Sequence, residues 1–271
     1  MIQANRKYRI LEFTTAKELT PARLKPLARE IYYLLRGLLY VGNTKVCPCC
    51  EWHFRKFLPC TQTFVPGVAC PRCGSLGRHR LMWLYFSNRT RLLYDRLRVL
   101  HFAPEFCIQR RLRSLSNIGY ISADLNSPWA RTRIDVTHIG VPDNTYDIVL
   151  CSHVLEHVPQ DRVAMKEICR ILKPGGWAIL QVPIRWNRST YEDPGIVTPE
   201  EREKAFGQND HVRIYGNDYL DRLRDAGFDA TVDQYIQTFK PEQIERYGLP
   251  PNEGLIVSWK RSEIMLRQTP A

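Results

Sequence analysis

Between Arg98 and Leu180, short apolar runs alternate with longer amphipathic intervals. Val99-Leu100-His101-Phe102 breaks at Ala103-Pro104-Glu105, and Tyr120-Ile121-Ser122-Ala123-Asp124 ends on a carboxylate. A short third run spans Arg133 to Val136, and Tyr146 to Cys151 stops at the polar cluster Ser152-His153-Val154-Leu155-Glu156-His157. After Leu172-Lys173-Pro174-Gly175-Gly176 comes a last apolar run, Trp177 to Val182. Strands separated by helical intervals require crossover connections, so the pattern predicts an α/β fold with a Rossmann-like, doubly wound parallel sheet. Helices are expected from Cys107 to Leu115 and from Asn217 to Ala226, the second closed by Gly227. Thr231–Thr238 and Leu255–Lys260 read as the last two strands, an antiparallel pair at the sheet edge. Ahead of the sheet, Leu24, Leu27, Ile31, Leu34, Leu35 and Leu38 recur at helical spacing behind Thr20-Pro21, an N-cap and first-turn proline. Basic residues flank that stripe, which would suit either packing on the protein itself or peripheral contact with an anionic membrane.

Ligands of open α/β sheets bind where strand C-termini give way to loops. Those ends carry Glu105, Asp124, Asp135 and Ser152-His153, and an acid closing the second strand is the usual partner of a ribose diol. His153, Glu156 and His157 are spaced i, i+3 and i+4, which puts them on one helical face. With no further ligand nearby in sequence, they are expected to position groups in the pocket rather than to hold a metal. A second cluster is Cys47-Pro48-Cys49-Cys50 and Cys70-Pro71-Arg72-Cys73. Cys47 and Cys50 with Cys70 and Cys73 form two C-x₂-C turns nineteen residues apart, the pattern of a closed, structural zinc ribbon. Cys49, Cys60 and His53 are rival ligands within it. Arg78, His79 and Arg80 could touch the ligand or anchor the ribbon, with the anchoring role favoured.

The same stretches resemble class I S-adenosylmethionine-dependent methyltransferases, of a subfamily that reads HFAPE where most relatives read a D-x-G-x-G loop. Asp124 matches the ribose-binding acid, Asp135-Val136 the adenine-side pair, and Leu172 to Gly176 the LKPGG turn. Cys70 to Tyr85, Tyr191-Glu192-Asp193-Pro194 and Asp210 to Gly216 match further motifs of the subfamily. The resemblance implies S-adenosylmethionine as cofactor, held by His101, Phe102, Ala103, Pro104, Glu105, Asp124, Leu125, Asp135, Val136, Ser152 and His153. It departs from the common pattern at the loop: Ala103 and Glu105 replace two glycines, and His101 replaces the first acid. Glu105 is the expected substitute carboxylate for the cofactor ammonium. Residues 185–215 are expected to form a lid and acceptor site. An alcohol or amine acceptor needs a base titrating near neutrality. His211, beside Asp210 and Arg213, is the first candidate and His153 the second.

Composition adds compartment and partners. Nine cysteines with no signal-peptide pattern favour metal or buried thiols over disulfides and a cytoplasmic protein. Of the net charge of +11, residues 1–100 carry +13 and the remainder −2. That asymmetry suggests an anionic partner for the N-terminal part. The expected organisation is an N-terminal segment over 1–45, a zinc ribbon over 46–80 and a methyltransferase domain over 81–271. Three functions compete: methylation of a small-molecule, sugar or carrier-linked acceptor at oxygen or nitrogen; RNA methylation using the basic zinc module; and a non-catalytic binding module.

Overall fold

The computed structural model describes residues 25–60, 68–127 and 129–261. The expected Thr20-Pro21 cap and the ribbon residues Phe64 and Val65 lie outside them. The first helix, α1 (Lys25–Leu38), is amphipathic as expected, but its faces are turned around. Ile31, Leu34, Leu35 and Leu38 are exposed among the described residues, Leu35 by 58%. The polar side packs inward: Arg36 donates to the carbonyls of Pro71 and Cys70 at 2.8 and 3.1 Å, and Tyr33 stacks on Phe106 at 5.4 Å. Guanidinium groups that find carbonyls and ring faces can be buried without stranding a charge.

Beyond α1, β1 (Val41–Val46) pairs antiparallel with β2 (His53–Phe54), and an isolated bridge joins Leu58 to Ala69. Phe54 and Phe57 fill the small core between the two cysteine turns. Helix α2 (Gly77–Arg89) then leads to the sheet. Arg80, at its start, is fully buried. It donates to Val68 and Ser75 on one side and to Tyr247 and Gly248 on the other, at 2.6–3.0 Å, so it anchors the cysteine module to the C-terminal part.

The central strand, β3 (Leu97–Phe102), is buried from Val99 onward, as an inner parallel strand covered on both faces must be. It is followed by α3 (Phe106–Arg113), β4 (Ile118–Asp124), β5 (Thr132–Arg133), β6 (Tyr146–Cys151), α4 (Asp161–Ile171) and β7 (Leu172–Ile179). The third run is therefore shorter than expected, ending before Asp135. β7 begins five residues early and takes in Lys173 to Gly176. A Cβ at Gly176 would lie 2.8 Å from the Asp147 carbonyl oxygen, so glycine lets this irregular start pair with β6.

Residues 184–216 build a small three-stranded sheet, β8 (Ile184–Arg185), β9 (Tyr191–Glu192) and β10 (Arg213–Gly216) in the order β8-β10-β9, with α5 (Pro199–Phe206) between β9 and β10. Thr198 caps α5 by accepting from the Glu201 amide, and Pro199 occupies the first turn. Then come α6 (Tyr219–Asp225), β11 (Phe228–Asp233), α7 (Pro241–Tyr247) and β12 (Leu255–Lys260). The main sheet runs β11-β12-β7-β6-β3-β4-β5. β11 and β12 form an antiparallel pair at the sheet edge as expected, though β11 starts at Phe228 and Tyr235–Thr238 is a short 3₁₀ turn rather than strand; β11 is outermost and β12 is the inner member. It lies between β11 and β7, antiparallel to both, so its N-terminal end joins the C-terminal ends of the parallel strands. No described helix is long and apolar enough to cross a membrane.

Arg213 ties the small sheet to the large one. Only 3% exposed, it donates to the carbonyls of Leu155, Val158 and Pro159 at 3.0, 2.5 and 2.9 Å and pairs with Glu192 at 2.8 Å. Arg213→Met is expected to cost about 3–5 kcal/mol, because it removes one partner of a buried charge network. Thermal unfolding checks this, and an unchanged midpoint would dismiss the clamp.

Candidate active site

The loop after β3 turns without glycine. Ala103 takes the left-handed conformation (φ 44°), which costs an L-residue free energy, and its amide donates to the Ala123 carbonyl of β4 at 2.9 Å. Glu105 opens α3. Its Oε2 meets His101 Nε2 at 2.7 Å, and its Oε1 lies 4.0 Å from His79 Nε2. His101 Nδ1 meets the Tyr120 hydroxyl at 3.0 Å. The side chains of His101 and Phe102 are buried in the sheet, so of the HFAPE residues it is the loop from Ala103 to Glu105 that lies at its end. Burial pushes the Glu105 carboxyl up, but the hydrogen bond from His101 and the charges of His101 and His79 outweigh it, bringing its pKa to about 2.

On the next strands, Asp124 Oδ1 accepts from the amides of Asn126 and Ser127 at 2.8 and 2.6 Å, which fixes the following loop. β5 pairs beside Ala123 and Asp124, placing Asp135 two residues past that end. Asp135 is exposed, and the amide and hydroxyl of Thr137 hold its pKa down. Leu125 is exposed and Val136 is buried. Arg29 of α1 reaches this region, lying 4.0 Å from the Phe106 ring and 4.2 Å from the Trp129 ring.

After β6, Ser152 is buried and His153 has a positive φ of 55°. The His153 amide donates to the Gln181 carbonyl at 2.8 Å, and its Nδ1 meets Glu156 Oε1 at 3.2 Å. Its Nε2 is buried with no protein partner. His153 lines a cavity of about 620 Å³ together with Arg78, Gln181, Trp186, Gln234 and Glu253. His153, Arg78, Gln181 and Glu253 also line a narrow cleft whose wall includes Glu105 and His79. Burial raises the Glu253 pKa against the opposing charges of Arg78, His153 and His79. Glu253, Gln181 and Gln234 escape sequence reasoning, because nothing in Asn252-Glu253-Gly254 marks more than a turn before β12.

His211 lies elsewhere. It lines a separate pocket of about 110 Å³ with Glu156, Arg185 and Phe206, and its ring sits 4.7 Å from that of His157. Burial first, and then His157, lower its pKa. In the cysteine module, the Sγ atoms of Cys47, Cys50, Cys70 and Cys73 lie within 4.8 Å of one another, with Cys47–Cys73 at 3.6 Å and Cys50–Cys70 at 3.7 Å. His79 links this module to the loop: Cys49 Sγ donates to its carbonyl at 3.6 Å, and Cys107 Sγ lies 3.5 Å from its Nδ1.

A methyltransferase-domain family matches residues 114–180. The chain is 44% identical over 62 residues to a ubiquinone biosynthesis O-methyltransferase of Paraburkholderia xenovorans, covering 20% of this chain and 26% of that protein. It is 25% identical over 141 residues to phosphoethanolamine N-methyltransferase 3 of Arabidopsis thaliana, covering 46% and 27%. The chain thus spans about a quarter of the length of these relatives. Among solved structures, an S-adenosylmethionine-dependent methyltransferase from Archaeoglobus fulgidus is similar with a TM-score of 0.44 at 16% identity, covering 69% of this chain and 95% of that one. These sequence matches are all to methyltransferases or to a methyltransferase domain.

Glu105 makes stability depend on acid. Its folded pKa of about 2 lies below the ordinary 4.5, so its pairing stabilises the fold above about pH 4.5, and that contribution is lost as pH falls toward 2. Glu105→Gln should flatten the loss by on the order of 3 kcal/mol. Urea unfolding from pH 6 to pH 2.5 measures it, and parallel curves for the two proteins would exclude the pair.

Proposed function

We propose that this protein transfers a methyl group from S-adenosylmethionine to an oxygen or nitrogen of a small-molecule, sugar or carrier-linked acceptor. The observation that carries this reading is the position of His153, shared between the cleft at Glu105 and the larger cavity. In this reading Ala103 to Glu105 receive the methionine end of the cofactor. The Glu105 carboxylate stays ionised when buried, as pairing with an ammonium requires, and its Oε1 is not the oxygen that bonds His101. Asp124 holds its loop through Oδ1 and offers Oδ2 to a ribose diol, with Asp135 and Val136 on the adenine side. The cavity of about 620 Å³ then receives the acceptor.

S-adenosylmethionine supplies an electrophilic methyl group, and in-line placement of the acceptor supplies most of the rate. With Nδ1–H donated to Glu156, His153 keeps its Nε2 lone pair for the acceptor proton. The base role therefore moves from His211, which lines the smaller pocket, to His153. The relatives' names give an oxygen and a nitrogen acceptor, both on small molecules, which favours that substrate class without choosing the atom. The N-terminal cations speak against RNA as the acceptor. Arg36, Arg55 and Arg80 donate to the protein's own carbonyls, and Lys45 and Arg72 pair with Glu245 and Glu30.

Calorimetry with S-adenosylmethionine and S-adenosylhomocysteine should give micromolar binding. His153→Ala should lower kcat by about 10²–10⁴-fold while leaving S-adenosylhomocysteine affinity nearly unchanged. Absence of cofactor binding would overturn the reading in favour of a non-catalytic module.

We further propose structural zinc on Cys47, Cys50, Cys70 and Cys73. Zn–S bonds of about 2.3 Å make tetrahedral S···S edges of about 3.8 Å, close to the two spacings above. Ser75 Oγ, 3.1 Å from Cys47 Sγ and 3.3 Å from Cys73 Sγ, supports the thiolates. Titrating the thiols with a mercurial should release about one zinc per chain. Release of none would refute the site.

A further inference from the structure

We infer a second metal site, made by Glu156, His157 and His211, for a first-row divalent transition metal. One carboxylate oxygen and one ring nitrogen from each histidine lie within 4.8 Å of one another. Metal–ligand bonds of about 2.1 Å would draw such atoms to about 3.0–3.5 Å apart, which small side-chain adjustments can supply. His157 precedes His211 by more than fifty residues, and the Arg213 clamp is what brings them together: the Val212 amide donates to the Glu156 carbonyl at 2.9 Å.

Two observations separate this cluster from ordinary packing. Glu156 is only 2% exposed, and its Oε2 is buried with no protein partner, while Oε1 is used by His153. A bare carboxylate oxygen inside a protein is costly, and a cation is the ligand that removes the cost. His157 also has a ring nitrogen engaged, as metal-binding histidines do: its Nδ1 faces Asp210, 3.3 Å from the carbonyl and 3.4 Å from the carboxylate. So held, the His157 imidazole keeps one lone pair. Arg213, in the pocket wall, is already committed to three carbonyls and to Glu192.

Two imidazoles and one carboxylate suit zinc, iron(II), cobalt or nickel better than calcium or magnesium. Three protein ligands leave coordination positions open, the mark of a site that takes up a further ligand. Glu156 and His211 both line the pocket of about 110 Å³ with Arg185 in its wall, so an anionic oxygen donor is the ligand it would take. Glu156 would join the metal to His153 through its two oxygens. Metal binding is read without turnover and stands apart from the methyltransferase reading.

The test is cobalt(II) titrated into the full-length protein and followed by ligand-field absorption. The expected signal lacks the thiolate charge-transfer band that a cysteine site would give. His157→Gln and Glu156→Gln should weaken it about 10–100-fold, with circular dichroism and the thermal midpoint showing that each variant is folded. His157 is partly exposed, so its replacement leaves the core intact. Absence of a thiolate-free cobalt signal in the wild type, or a signal of equal affinity in folded His157→Gln, would overturn the site.

Discussion

A guanidinium shut away from water has to be satisfied by protein oxygen, and two such groups set the geometry of this molecule. Arg213 gathers three carbonyls from the turn after β6 and holds the small sheet of residues 184–216 against the main one. Arg80 does the same between the cysteine module and the segment after α7. Neither can leave without stranding several buried acceptors, so each fixes the relative position of two stretches far apart in sequence. The space around the strand ends is framed by these two fixings, with Arg78 and His79 brought in from α2.

Inside that frame, a histidine–carboxylate pair occupies positions where a glycine-rich loop is usual. His101 and Glu105 hold each other across the loop, and Ala103 accepts the left-handed turn that glycine would make freely. The ionised carboxylate is kept by His101 and His79 rather than by solvent. The His79 carbonyl accepts from Cys49 of the cysteine module while its ring faces Cys107 and Glu105, so this one residue spans the module and the loop at the sheet end.

Among the described residues, part of the N-terminal charge is engaged within the protein on carbonyls and aromatic faces, with Arg29 lying over Phe106 and Trp129. The apolar stripe of α1 is left facing outward among the described residues.

The period of the apolar runs was enough for the parallel sheet, for the position of most strands and for the C-terminal placement of Glu105, Asp124, Asp135 and His153, because strand alternation and crossover rules are local and few. The two C-x₂-C turns were legible for the same reason: their spacing alone limits what they can hold. Patterning could not say which way α1 would face, since an amphipathic helix looks the same whichever side its neighbours take. It put the last two strands at the edge as an antiparallel pair but could not say which of them would pair with β7. Nor could it bring His211 to Glu156 and His157, or Glu253 to His153. Those meetings are decided by long-range satisfaction of buried charge, which only the folded chain can express.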